Sequence, residues 1–198
     1  MWIKICGVRD AQALEACVMA GADAVGVVLV PSAREVTDEV ARELSELSAG
    51  RVQTVAVFRK LNAANLARAR GLGFDIAQGV VDMSGPVPGD VLPVEIDSPD
   101  LAGKLRRWGT RRVLVDGPRF GSGEPADWER IAQVARTGPV VLAGGLSPEN
   151  VAEALARVQP AGIDVSSGTE SAPGTKDPQR IHDFVMNARA AARTLETA

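Results

Sequence analysis

A (β/α)8 barrel is the fold that this 198-residue sequence predicts, on three observations. Eight short runs rich in β-branched and aliphatic residues recur along the chain. Most of them are continuously apolar, as parallel strands covered on both faces must be. Helical patterns separate them, and that alternation is what a parallel barrel requires. The length fits one domain over residues 1–198 and lies near the lower end of the barrel size range. An open doubly wound sheet is the second fold compatible with the same alternation.

The first strand is expected in "WIKICGV" at 2–8, followed by a helix in "DAQALEACVMAG", where Asp10 stands at the cap position and Gly21 closes the last turn. "DAVGVVLV" supplies the second strand, and "TDEVARELSEL" a helix opening on Thr37. Its first turn carries Asp38 and Glu39, where carboxylates suit the positive end of the helix dipole. "TVAVFR" and "NAANLARARGLG" form the third unit, and "FDIAQGV" is the fourth strand. No helix is expected after it. The segment "GVVDMSGPVPGD" at 79–90 contains Gly79, Gly85, Pro86, Pro88 and Gly89, a density that a helix does not tolerate. The helix between strands four and five is therefore expected to be missing or degenerate, leaving an irregular loop that buries little apolar surface. Strands in "DVLPVEI", "RRVLVDG", "PVVLAGG" and "AGIDVSSG" follow, alternating with helices in "PDLAGKLRRWG", "ADWERIAQVARTG", "SPENVAEALARV" and "DPQRIHDFVMNARAAART".

Composition excludes several functions. A net charge of -3 with no basic, aromatic-interleaved segment argues against nucleic-acid binding. Apolar runs such as "AVGVVLV" at 24–30 are too short to span a bilayer, and "MWIKICGV" lacks the apolar core of a secretory signal. A cytoplasmic protein is expected, and a slightly acidic surface without an evident apolar patch suggests a monomer. Cys6 and Cys17 make neither a disulfide framework nor a metal cluster. Cys17 shares a helix face with Leu14 and Val18 and reads as core.

Barrel chemistry sits at the C-terminal ends of the strands. Cys6 ends the first strand, Arg34 follows the second in "PSARE", Asp116 ends the sixth, "AGG" ends the seventh and "SSG" the eighth. Each has an ordinary explanation. A cysteine can be a small core hydrophobe, and Asp116 before Gly117 is common turn chemistry. Ser147 can cap a helix with Pro148 at its first position. That leaves the paired glycines Gly144 and Gly145 weakly explained. Loops after the last two strands are where barrels of this class hold phosphate on backbone N–H groups, so a small phosphorylated substrate is implied.

"KICG", "GADAVG", the arginine after the second strand, "LVDG" followed by "GSG" and "DW", "AGGLSPENV" and "GIDVSSGTESAPGTKD" occur in one order over nearly the whole chain. In that order the sequence resembles the phosphoribosylanthranilate isomerase family of tryptophan biosynthesis. The resemblance implies a (β/α)8 fold and an Amadori rearrangement of N-(5'-phosphoribosyl)anthranilate to 1-(2-carboxyphenylamino)-1-deoxyribulose 5-phosphate, without a cofactor. It places the general base on Cys6 and the general acid on Asp116. Arg34 and Asp164 match substrate-binding positions, and Gly144, Gly145, Ser166, Ser167 and Gly168 match the phosphate loops.

The residue types suit that chemistry. Opening the aminoribose ring needs a proton on the ring oxygen, which a protonated Asp116 can supply. The imine then acidifies the C2' proton, and a Cys6 thiolate can remove it if cationic surroundings favour its ionisation. One motif departs from the family. At the end of its fourth strand the family has "QLHG", whereas "DIAQGVV" keeps Gln78 and has no histidine. The single histidine, His182, reads as a surface residue of the last helix. Two other readings remain open on sequence: a different phosphosugar isomerase or epimerase, and a barrel that binds a phosphorylated metabolite without converting it.

Overall fold

The computed structural model describes residues 1–82, 87–96, 100–108, 112–117 and 127–196. Eight parallel strands close into a barrel in sequence order: β1 (Trp2–Cys6), β2 (Ala24–Val28), β3 (Gln53–Lys60), β4 (Ile76–Val80), β5 (Val91–Ile96), β6 (Val113–Asp116), β7 (Val140–Leu142) and β8 (Gly162–Val165). The ring closes where β1 pairs with β8, with Lys4 opposite Asp164. On its other side β1 pairs with β2, and Cys6 stands opposite Gly26.

Side-chain alternation along each strand divides the apolar residues into two cores. Ile3 and Ile5 of β1 face outward into the large core shared with the helices, where Ile163, Leu155 and Phe184 are also buried. Trp2 faces inward, in a smaller core with Ala24, Val55, Leu92, Leu114 and Val141. Period two then puts Lys4 and Cys6 on the same inner face as Trp2. This two-sided burial is why the strands read as continuous apolar runs.

The helices are α1 (Ala11–Ala20), α2 (Asp38–Ser48), α3 (Ala63–Gly71), α4 (Leu101–Trp108), α5 (Trp128–Ala135), α6 (Val151–Val158) and α7 (Pro178–Glu196). Asp10 caps α1 by accepting from the Ala13 N–H at 2.8 Å, and Gly21 ends it at φ 80°. Thr37 accepts from the Val40 N–H at the start of α2. The expected cap at Ser147 does not form, and α6 begins at Val151. Asn150 organises this turn instead: its Oδ1 accepts from the Ser147 N–H and its Nδ2 donates to the Gly145 carbonyl, both at 2.8 Å. The amide carries its acceptor and its donor on separate atoms, so one side chain spans both backbone groups.

Among the described residues no helix lies between β4 and β5; residues 83–86 of the segment fall outside them. The loop nevertheless contributes to the core, contrary to expectation. Val81 and Val87 are both buried, and the Val87 N–H donates to the Trp108 carbonyl at 3.1 Å. Both valines belong to the large core shared with the helices. After β8 come a single 3-10 turn (Ser167–Thr169) and a hairpin of β9 (Glu170–Ala172) and β10 (Thr175–Lys176), which the sequence patterning did not suggest. Cys17 is fully buried, and burial pushes its thiol up to about 12, so it stays protonated and packs as core. His182 is exposed on α7. No helix among the described residues is long and apolar enough to cross a membrane.

Candidate active site

A pocket of about 300 Å3 opens at the C-terminal ends of the strands, enough for a small metabolite. Cys6, Arg34, Asp116 and Asp164 line it. Gly144, Gly145, Ser166 and Ser167 line it as well. Residues from five strand ends, Cys6 and Ser166 among them at 160 positions apart, therefore meet at one place, as the barrel rule requires. The "GSG" segment at 121–123 lies outside the described residues.

Cys6 is the last residue of β1, and the chain turns away at once. The Gly7 and Val8 N–H groups both donate to the Gly26 carbonyl, at 2.8 and 2.9 Å, with Gly7 at φ 81°. A Cβ at Gly7 would stand 2.7 Å from Arg34 Cδ, so the glycine provides both the left-handed turn and the room for Arg34. The Cys6 thiol is pushed up by burial, which outweighs the downward pull of Lys4 and Lys176; Asp164 adds to the rise.

Lys4 lies one inward position below Cys6. It is the one charged side chain with no exposed surface among the described residues, and its Nζ donates to Asp164 Oδ1 at 2.7 Å. Burial opposes its charge, yet Asp164 and Cys6 together hold its pKa above the ordinary lysine value.

Arg34 meets Glu170 of β9 through two parallel hydrogen bonds. Lys176 of β10 joins them: its Nζ lies 3.2 Å from Glu170 Oε1 and donates to the Ser166 carbonyl at 2.8 Å. Burial lowers the Lys176 pKa, while Glu170 opposes that loss. Ser166 in turn donates from its hydroxyl to the Cys6 carbonyl at 3.1 Å. A continuous polar chain thus ties the hairpin after β8 to the end of β1.

The loops after β7 and β8 press together. Gly144 and Gly145 have φ 87° and 65°, a left-handed pair that side-chain-bearing residues rarely adopt. Gly168 does not itself line the pocket but supports the loop that does, since a Cβ there would overlap the Leu146 carbonyl. Among the described residues none accepts a hydrogen bond from the N–H groups of Gly144, Gly145, Ser167 or Gly168. Such free amides in a concave loop pair suit an anion.

Asp116, half-buried at the end of β6, accepts from the Gly117 N–H at 2.8 Å while also lining the pocket, so its turn role and its pocket role coexist. Gln78 of β4 lines the same pocket and is buried with an Oε1 that has no partner among the described residues, and Val80 lines the pocket as well. Lys4, Glu170 and Lys176 were not singled out from sequence. Their signals were present, in "KICG" at period two from Cys6 and in "TESAPGTK" after the last strand.

The family model described as N-(5'-phosphoribosyl)anthranilate (PRA) isomerase matches residues 92–187. An N-(5'-phosphoribosyl)anthranilate isomerase of Roseiflexus castenholzii is 38% identical, over 98% of this chain and all of that protein. The crystal structure of phosphoribosyl anthranilate isomerase from Thermotoga maritima superposes with a TM-score of 0.84 at 30% identity, covering 96% of this chain and 99% of that one. A phosphoribosyl anthranilate isomerase solved in complex with reduced 1-(o-carboxyphenylamino)-1-deoxyribulose 5-phosphate superposes at 0.80, with 30% identity and the same coverage.

Proposed function

The chain belongs to the N-(5'-phosphoribosyl)anthranilate isomerase family, and on that premise we propose how its own residues carry the family's reaction. It isomerises N-(5'-phosphoribosyl)anthranilate, a phosphorylated small molecule, to the 1-deoxyribulose 5-phosphate product in tryptophan biosynthesis. The observation that carries the residue assignment is the convergence of Cys6, Asp116, Arg34, Asp164 and the two glycine-containing loops on one pocket.

Asp116 donates a proton to the ring oxygen, and the C1'–O bond breaks as the anilino nitrogen forms the imine. Cys6, as thiolate, removes the C2' proton that the imine has acidified. The resulting enolamine rearranges to the ketose by protonation at C1' and loss of the C2' hydroxyl proton. Arg34, held by Glu170, presents its remaining N–H groups to the substrate, and Asp164 accepts from a substrate hydroxyl. Free amides of Gly144, Gly145 and Ser167 hold the phosphate, with the Ser166 and Ser167 hydroxyls beside it and Gly168 supporting the loop behind them.

The assay is the decay of anthranilate fluorescence on adding the phosphoribosyl substrate. Turnover lowered by about 10²–10⁴ in Cys6→Ser and in Asp116→Asn, with product still bound by both, is the expected result; near-normal turnover in either overturns that residue's role. We read residues 1–198 as one domain because the single closed ring gives the chain a common core. A cytoplasmic location suits two reduced cysteines, and a monomer suits the net charge of -3; light scattering checks the latter.

A further inference from the structure

The inner core of this barrel contains one feature that packing does not require. Lys4 lies on the inner face that also carries the buried apolar cluster of Trp2, Ala24 and Val55, and hydrophobic replacements of buried ion pairs are often neutral or stabilising. Its ammonium instead has no exposed surface and is held by Asp164 at 2.7 Å. The position opposite Cys6 is Gly26. A Cβ on Gly26 would stand 2.9 Å from Cys6 Sγ and 2.9 Å from Lys4 Nζ. The ammonium and the thiol therefore converge on the space that this missing side chain leaves open. Larger residues at 26 would separate them.

The other charges facing Cys6 are few. Lys176 of β10 and Arg34 after β2 act on it from the hairpin side, and Asp164 of β8 acts from the ring-closing side. Asp116 lines the same pocket from β6. Lys4 is the fully buried cation among them and the one that shares the strand of Cys6.

We propose that Lys4 is the positioning residue for proton abstraction: admitted beside the thiol by Gly26, its ammonium is the charge against which Cys6 ionises. This rests on the reading of Cys6 as the base. Burial alone would keep the thiol protonated, and the Lys4 ammonium opposes that burial most strongly of the neighbouring cations. Asp164 acts in the opposite sense, since its carboxylate both holds the ammonium and disfavours a second negative charge beside it.

The test is the ionisation of Cys6 in the substrate-free protein, read as the ultraviolet absorbance of the thiolate and corrected with Cys6→Ser. In Lys4→Met the thiol should titrate at least one pH unit higher, an about tenfold smaller thiolate fraction at fixed pH. The acidic limb of kcat/KM should move with it while KM changes little, which a merely structural lysine would not produce. In Asp164→Asn the thiol should titrate lower than in the parent. An unshifted thiol in Lys4→Met, or a shift of the same sign in both variants, overturns the proposal. If Lys4→Met fails to fold, NMR of isotope-labelled lysine in the unaltered protein decides. The Lys4 Nζ resonance should titrate together with the thiolate absorbance, and a resonance indifferent to it overturns the proposal. Full turnover in Cys6→Ser would instead sink the base assignment, leaving the Lys4 effect on the thiol intact and the two failures distinct.

Discussion

Arg34 and Glu170 lie in a bidentate pair, Nε to Oε1 at 2.7 Å and Nη2 to Oε2 at 2.9 Å, across 136 residues of sequence. The pair fixes the plane of a guanidinium that borders the pocket, and it anchors the β9–β10 hairpin to the loop after β2.

Glu170→Gln keeps the shape and removes the charge. The variant should lose about 1.5–3 kcal/mol in urea unfolding, the range of a charge-assisted hydrogen bond, and KM should rise as Arg34 loses its orientation. Burial works against the Glu170 carboxylate, but Arg34 and Lys176 outweigh it and hold its pKa below the usual range. A depressed folded pKa gives stability that is present above the unfolded value of about 4.3 and lost as pH falls through the folded one. The parent should therefore lose this contribution only below about pH 4, and the difference between parent and variant should shrink there. A constant difference down to the most acidic measurement would remove Glu170 from the account.

Cys6→Ser should lower turnover by about 10²–10⁴ while product affinity stays nearly unchanged, because a serine hydroxyl is a far weaker base than a thiolate. Burial raises the Cys6 thiol above its ordinary value. In the substrate-free protein the base is the deprotonated form, so kcat/KM should climb with pH into the alkaline range, and its limb should vanish in the serine variant. A flat profile above neutrality would argue for a thiolate already formed.

Inorganic phosphate should compete with substrate for the amides of the two glycine-containing loops. Gly145→Asp adds bulk at φ 65° and a negative charge where the anion binds, so KM should rise tenfold or more by an about 1.4 kcal/mol loss. Steady-state kinetics with an unchanged KM would place the phosphate elsewhere.

The loop between β4 and β5 should show a split exchange pattern. The Val87 amide, bonded to the Trp108 carbonyl, should exchange more slowly than those of Asp82 and Gly89. Val87→Ala should destabilise the protein by about 1 kcal/mol through lost burial. Uniformly fast exchange would mean that the valine cover opens readily.

The barrel was legible because burial on both faces writes itself into each strand as an unbroken apolar run. Cys6, Asp116 and the paired glycines were legible because they end those runs. Lys4 was hidden by the same logic: within an apolar strand a lysine reads as a solvent-facing interruption, and although its period-two spacing from Cys6 places it on the inner face, only closure against β8 supplies its partner Asp164. Glu170 acts through tertiary pairing with Arg34, 136 positions away, and Lys176 acts through Glu170, and neither pairing can be read from the local pattern. Ser147 was a good cap candidate by residue type, but Asn150 three positions later bonds both the Ser147 N–H and the Gly145 carbonyl. The valines at 81 and 87 were masked by the glycines and prolines around them.

The pairing of β1 with β8 also dictates when this protein can become active as it folds. Lys4 leaves the start of the chain long before Asp164 exists, and 160 residues must follow before its counter-ion is available. Until the last strand arrives, the ammonium has no reason to leave water, and the inner face of β1 is exposed to solvent. Sealing the ring, dehydrating the lysine and bringing Ser166 against the Cys6 carbonyl are then one late event. Long-range closure of this kind is slow compared with helix formation. Folding intermediates that lack β8 should accordingly carry a solvated Lys4 and a Cys6 open to oxidation, with chemistry switched on only at the final step.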